Sequence, residues 1–220
     1  MTLPNDRPAF DLVVFDWDGT LFDSVSQIVQ SLQWAAQQYQ IELAADAAKN
    51  IIGLGLPEAM QVLFPQYPDL QPQIQAEYSR HYVANSHTQQ WFAGVDELLQ
   101  QLDAQGVILA VATGKSRIGL DRVLAQTASA HRFRATRAAD ETLSKPNPLM
   151  LEQVLQQTGI AVERAVMVGD SSYDMQMAQQ LGMPRIGVSY GVHSEQVLQQ
   201  YQPLAVVHSV NELAHYLLTV

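Results

Sequence analysis

The sequence contains no cysteine, which removes disulfides, thiolate metal sites and thiol catalysis together and agrees with a reducing compartment. Charge is scarce too. Only 15% of residues are Asp, Glu, Lys or Arg, and 12 Lys and Arg face 22 Asp and Glu, for a net charge of -10. Nucleic-acid and anionic-membrane surfaces need clustered Lys and Arg, so neither partner is expected. A phosphorylated small molecule stays open as a partner, because a metal ion and a few basic groups reverse the field locally. No apolar run approaches a membrane span, and Met1 to Arg7 has no basic stretch followed by an apolar one. No leader is therefore expected, and the expected location is cytoplasmic. Internal repeats are missing. The glutamine pairs Gln37-Gln38, Gln89-Gln90, Gln100-Gln101, Gln156-Gln157, Gln179-Gln180 and Gln199-Gln200 fall mostly on helical faces and read as surface composition.

What is present is apolar: 47% of 220 residues are hydrophobic, enough to bury a sizeable core in one domain or in one domain carrying an insertion. The run Leu12-Val13-Val14-Phe15 has the length and composition of a buried parallel strand. Asp16-Trp17-Asp18-Gly19-Thr20 follows directly, with two carboxylates at the strand's C-terminal end and a glycine that lets the backbone turn. Ser24 and Gln27 then have the spacing of a capping box, and Val25, Ile28, Val29, Leu32, Ala35, Ala36 and Tyr39 recur at helical spacing. Further helical pieces are expected over 44–52, 57–64 and 72–85. Gly53 to Pro57 is a loop by its glycines and proline, either contacting a substrate or merely joining helices.

After Trp91 the texture changes. Strand-like runs at 107–112, 133–136, 165–168, 185–188 and 205–207 alternate with helical patterns at 95–105, 116–126, 148–158, 173–181, 194–200 and 211–218, the last capped by Ser209. That alternation predicts an α/β fold: a doubly wound parallel sheet, Rossmann-like, with an inserted α-helical cap domain. The expected organisation is a core of residues 1–22 and 92–220, interrupted by a cap over 23–91.

Four places at strand ends carry chemistry: Asp16 and Asp18; Thr113-Gly114-Lys115; Lys145-Pro146; and Gly169-Asp170 through Asp174. In a doubly wound sheet such tips converge on one crevice. The pair Asp16 and Asp18 alone could be a surface turn; the three further sites lift it above that. Together the groups suit phosphoryl transfer. A carboxylate cage fits Mg²⁺, Asp16 can attack phosphorus once the phosphate is screened, and Asp18 can exchange protons with the leaving alkoxide and with water. Thr113, the N–H groups after it and Lys145 can hold the equatorial oxygens. A calcium loop is excluded by its spacing, since Gln27 stands where a bidentate Glu is required. Leu109 likewise replaces the first glycine of a P-loop, which leaves Lys115 as an exposed lysine at a helix start. A serine esterase lacks its nucleophile elbow here and has no evident base. Trp34 and Trp91 read as packing residues, and Arg117 as an exposed helical arginine in preference to a substrate contact.

In order, spacing and strand context these four segments resemble the motifs of the haloacid dehalogenase superfamily, and within it the phosphoglycolate phosphatase-like branch; the likeness covers nearly the whole chain. Asp18 matters, because the dehalogenases lack a carboxylate at that place. The resemblance implies a hydrolase of small phosphomonoesters, phosphoglycolate-like or sugar phosphates, working through an aspartyl-phosphate with Mg²⁺. It implies that Asp16 is nucleophile and metal ligand, and that Asp18 is acid/base with its carbonyl on the metal. Asp170 would be the third protein ligand, and Asp174 would orient the metal's shell. Gly19, Thr113, Gly114 and Lys145 would bind the phosphoryl group. The rival readings are a phosphomutase of the β-phosphoglucomutase type and, from another class, a phospho-acceptor receiver module, which would be shorter and without a cap.

Overall fold

The computed structural model describes residues 10–86 and 90–219. The stretch read for a leader, Gln89 of one glutamine pair, and the first and last residues of the expected core lie outside the described residues. The first strand, β1 (Leu12–Phe15), is buried along its whole length. Each such side chain contributes roughly 1.5–3 kcal/mol by leaving water. An all-apolar strand of this kind is stable only with both faces covered, and both are.

The other strands are β2 (Ile108–Ala112), β3 (Phe133–Arg137), β4 (Ala165–Gly169), β5 (Arg185–Val188) and β6 (Ala205–Val207). They form one sheet in the order β3-β2-β1-β4-β5-β6, and every pairing is parallel. The order reverses between β1 and β4, which is where a crevice opens beyond the strands' carboxyl ends. Side chains alternate across the pleat. Val13 and Phe15 pack with α5 (Val95–Ala104), α6 (Arg117–Gln126) and α10 (Val210–Thr219). Leu12 and Val14 pack on the opposite face against α7 (Leu149–Thr158) and α8 (Ser172–Gln180). The remaining helix of this part, α9, is short (Glu195–Leu198) and continues as a 3-10 turn over Gln199–Tyr201, where sequence periodicity predicts one helix. Ser209 caps α10 as its position predicts, accepting from Glu212 N at 3.2 Å.

Between β1 and α5 the described chain is helical: α1 (Val25–Gln37), α2 (Ala45–Asn50), α3 (Leu56–Leu63) and α4 (Gln71–Asn85). Pro57 and Pro72 lie in the first turns of α3 and α4, where the missing N–H costs nothing. These helices have an apolar cluster of their own, including Leu32, Ala36, Met60, Phe64 and Ile74. The two connections to the sheet run side by side. Asp23 N donates to Gln90 O at 3.0 Å and Phe92 N to Leu21 O at 3.0 Å, with Phe22 bridging Trp91. Trp17, Phe22 and Trp91 meet there in tilted and edge-on contacts with ring centroids 5.0 to 5.8 Å apart, so Trp91 packs, and Trp34 stacks on His81. The described glutamines of the six pairs are all exposed. Among the described residues no helix is long and apolar enough to cross a membrane.

Candidate active site

Asp16 N donates to Val168 O at 2.9 Å, which carries the β1–β4 ladder one residue past the strand and fixes Asp16 at the point of reversal. The chain then folds into a tight turn in which Leu21 N and Phe22 N both donate to Trp17 O. Gly19 turns there with φ +77°, and a Cβ on it would collide with the Asp170 carboxylate. Only glycine meets both demands.

Asp16, Asp170 and Asp174 are buried, and one oxygen from each lies within 4.8 Å of the others. Asp170 is held at the end of β4 by Thr20 Oγ1 at 3.1 Å on Oδ1 and by Val192 N at 2.7 Å on Oδ2. Asp174 sits in the first turn of α8 as the partner of a capping box: its Oδ2 accepts from Ser171 N at 3.1 Å and from Ser171 Oγ at 2.5 Å, while Ser171 Oγ accepts from Asp174 N. One side chain thus serves the helix start and stands in the carboxylate cluster.

Lys145 Nζ, itself buried, donates to Asp174 Oδ1 at 2.6 Å and lies 2.8 Å from Asp16 Oδ1. The second contact is a close ion pair that leaves Asp16 Oδ1 with Lys145 as its one charged neighbour of opposite sign among the described residues. Burial alone would lower the Lys145 ammonium, yet Asp16 and Asp174 outweigh it and raise its pKa. Burial pushes the Asp16 carboxyl up to about 7 in spite of Lys145, and burial together with the charges of Asp16 and Asp174 raises Asp170 well above the carboxylate range. One ammonium cannot neutralise three clustered carboxylates. The missing positive charge and the all-oxygen donors, one from each of three buried carboxylates, fit a hard divalent cation.

Asp18 is engaged elsewhere. Its Oδ1 accepts from Ser24 Oγ at 2.5 Å and pairs with Lys115 Nζ at 2.9 Å. Two expectations are corrected here. Ser24 makes no cap bond to α1, and Gln27 donates to Ser31 instead; the Ser24 hydroxyl is taken by the buried Asp18 carboxyl. Lys115 is not an exposed lysine: its side chain is 8% exposed, and it also donates to Tyr82 Oη of α4 at 3.2 Å. Burial would lower its pKa, and Asp18 more than reverses that.

Thr113 is buried at the end of β2, and its Oγ1 accepts from Lys115 N at 3.2 Å. A Cβ on the next residue, Gly114, would stand 2.5 Å from Leu54 O and 2.6 Å from Gly53 O. The loop after α2 is thus seated on the strand ends, fastened by Gly55 N to Ser144 Oγ at 2.7 Å and by Tyr173 Oη to Asn50 O at 2.9 Å. The loop both joins α2 to α3 and lines the crevice. A cavity of about 350 Å³ lies beneath, with Asp16 and Asp18 at its floor and α1, α3, α4 and α6 in its walls.

Arg117 is neither exposed nor at the crevice: Glu141 at 2.6 Å, Asp121 and Thr136 hold its guanidinium. Ser171 Oγ donates to Asp174, and His193 Nδ1 accepts from Ser172 N at 2.9 Å, so a carboxylate and not a histidine stands beside the Ser171 hydroxyl. Sequence reasoning missed the Lys115–Tyr82 contact, and no local signal announces it. The eight residues singled out by the motifs are brought to one crevice, with Asp18 turned to the side where α1 and α4 lie.

The family model described as haloacid dehalogenase-like hydrolase matches residues 13–188. The chain is 34% identical over 218 residues to a protein named probable phosphatase IndB from Dickeya dadantii, covering 94% of each chain. It is 29% identical over 203 residues to a phosphoglycolate phosphatase from Aliivibrio fischeri, covering 87% of this chain and 89% of the other. A crystal structure of a predicted phosphatase from Clostridium acetobutylicum superposes with a TM-score of 0.85 at 26% identity, over 96% of this chain and 99% of that one.

Proposed function

We propose, from the premise that this chain belongs to the haloacid dehalogenase-like hydrolases and is a phosphoric monoester hydrolase, that it is a Mg²⁺-dependent phosphatase of small phosphorylated metabolites acting in the cytoplasm. The observation that carries this reading is the division of carboxylates: Asp16, Asp170 and Asp174 gather round Lys145, while Asp18 stands apart with Ser24 and Lys115.

Asp16, Asp170, Asp174 and the backbone at Asp18 would hold the ion, which when bound screens the phosphate charge and polarises its oxygens. Asp16 attacks phosphorus, the bond to the ester oxygen breaks, and Asp18 gives its proton to the departing alkoxide. The resulting aspartyl-phosphate is cleaved by water, whose proton Asp18 takes back as phosphate leaves. Both contacts to Asp18 fall on Oδ1, which leaves Oδ2 to exchange that proton. Lys145, Thr113 and the backbone at Gly19 and Gly114 hold the phosphoryl oxygens. Lys145 already lies 2.8 Å from the nucleophile, so it arrives with no rearrangement.

The helices of 23–91 act as a cap on the core of 1–22 and 92–220. The loop over Gly114 shuts the crevice from water, and movement about the paired linkers admits substrate. The test is phosphate release over a panel of phosphomonoesters with Mg²⁺. Release without isomerisation of sugar phosphates is expected; isomerisation with no release would make the chain a mutase.

A further inference from the structure

The walls of the cavity above Asp16 and Asp18 are apolar, with Ile28, Leu32, Leu54 and Ile118 among them. Two cations interrupt that lining. Lys115 is answered by Asp18. Arg122 is not answered. Its guanidinium lies over the Tyr82 ring, 5.6 Å from the centroid, and no carboxylate among the described residues lies within ion-pair distance of it. Its Nε is buried with no hydrogen-bond acceptor among the described residues. A guanidinium cannot shed its proton, and a desolvated N–H left unpaired is costly. An aromatic face attracts the charge but accepts none of the in-plane donors. An anionic oxygen entering the cavity would give the Nε of this half-buried guanidinium its acceptor.

The rest of the cavity limits what that something is. At about 350 Å³ the space reaches the range of pockets that enclose whole organic ligands. The cavity that holds Arg122 with Asp16 and Asp18 is lined mostly by aliphatic and aromatic side chains, with Ser79 and Ser116 the hydroxyl-bearing exceptions beside the tyrosines, which favours an apolar spacer over a polyhydroxylated one, since unmatched hydroxyls lose their water there.

We propose that Arg122 is a specificity-determining residue that binds a second anionic group, a carboxylate or a further phosphate, at the far end of the substrate, with an apolar middle between the two charged ends. This rests on the phosphatase reading above and narrows its substrate class.

The experiment compares ω-phosphooxy-alkanoates of increasing chain length, the matching alkane bisphosphates, and plain n-alkyl phosphates, whose leaving alcohols have similar basicity. The wild-type enzyme should prefer one of the two doubly anionic series at an intermediate length, and which series it prefers identifies the second anion. Arg122→Gln should lower kcat/KM for that compound about 10- to 100-fold more than for the alkyl phosphate of equal length, the scale of a lost charged hydrogen bond. Arg122→Lys should recover part of the preference. Equal losses in all series, or a wild-type preference for plain alkyl phosphates, would overturn the proposal. If no series is hydrolysed, the phosphatase reading is what has failed. Calorimetric binding of the same compounds to Asp16→Asn, with and without Arg122→Gln, then decides the role of Arg122 by itself.

Discussion

Ser24 Oγ donates to Asp18 Oδ1 at 2.5 Å, so the hydroxyl placed to cap α1 holds a carboxylate at the crevice. The helix start and the site share one side chain, and the site has it. Ser24→Ala should lower kcat/KM about 10-fold through loss of the hydrogen bond that positions the Asp18 carboxyl. It should lower Tm by less than Ser171→Ala, which removes a true cap and costs about 1 kcal/mol on that ground. Thermal melts of the two variants beside their kinetics check this; the reverse order of Tm would show that Ser24 does cap.

Asp16→Asn keeps the side chain's shape and removes its nucleophile. Turnover should fall at least ~10³-fold. The fold should persist, because the substitution relieves repulsion within the carboxylate cluster. Circular dichroism and phosphate release are sufficient readouts, and normal turnover would remove Asp16 from its role.

Metal removal and pH are linked through the same cluster. Without the ion, Asp16 titrates near about 7 instead of 3.8, because burial outweighs Lys145. The folded state thus keeps a proton that the unfolded chain releases between those values. Stability from this group is full below 3.8 and is lost as pH rises through about 7. The Tm of EDTA-treated protein should fall over that window, and more shallowly in Asp16→Asn. A divalent cation favours the ionised cluster, so its binding should release protons and strengthen with pH. At a hundredfold excess over Kd the ion should add about 2.7 kcal/mol. Activity should vanish in EDTA and return with Mg²⁺. A melt indifferent to the ion at every pH, or full activity in EDTA, would contradict the metal role.

Gly114→Ala tests the seated loop. A Cβ there meets two carbonyl oxygens, Leu54 O and Gly53 O, and backbone gives way less readily than a side chain. The loop should lift, raising KM about tenfold or more and speeding proteolysis within 23–91, while the sheet domain melts as before. An unchanged KM would mean that the loop lies idle during catalysis.

Much of this was legible beforehand. The run from Leu12 to Phe15 announces a doubly buried strand because a parallel strand has no wet face, and each acidic or hydroxyl group follows a strand. The strand order is not local information: β1 finds β4 across some hundred and fifty residues, and only tertiary pairing decides it. The errors at Ser24 and Lys115 have the same root. Periodicity describes a residue's neighbours along a helix, whereas the partners here arrive across space: Asp18 from the turn after β1, and Tyr82 from α4. Arg117 was misplaced for that reason too, since Glu141 belongs to a later loop.

The hydrogen bonds from Asp23 to Gln90 and from Phe92 to Leu21 give the chain a single doorway between sheet and helices. Whatever length of chain passes through it, the strand ends on the other side keep their spacing, since the ends of the detour are already tied together. Evolution can therefore exchange the room behind the doorway, with its walls and its Tyr82, and leave the carboxylates where they stand. The part of the cavity lining that stays with the sheet includes Ile118 and Arg122 of α6.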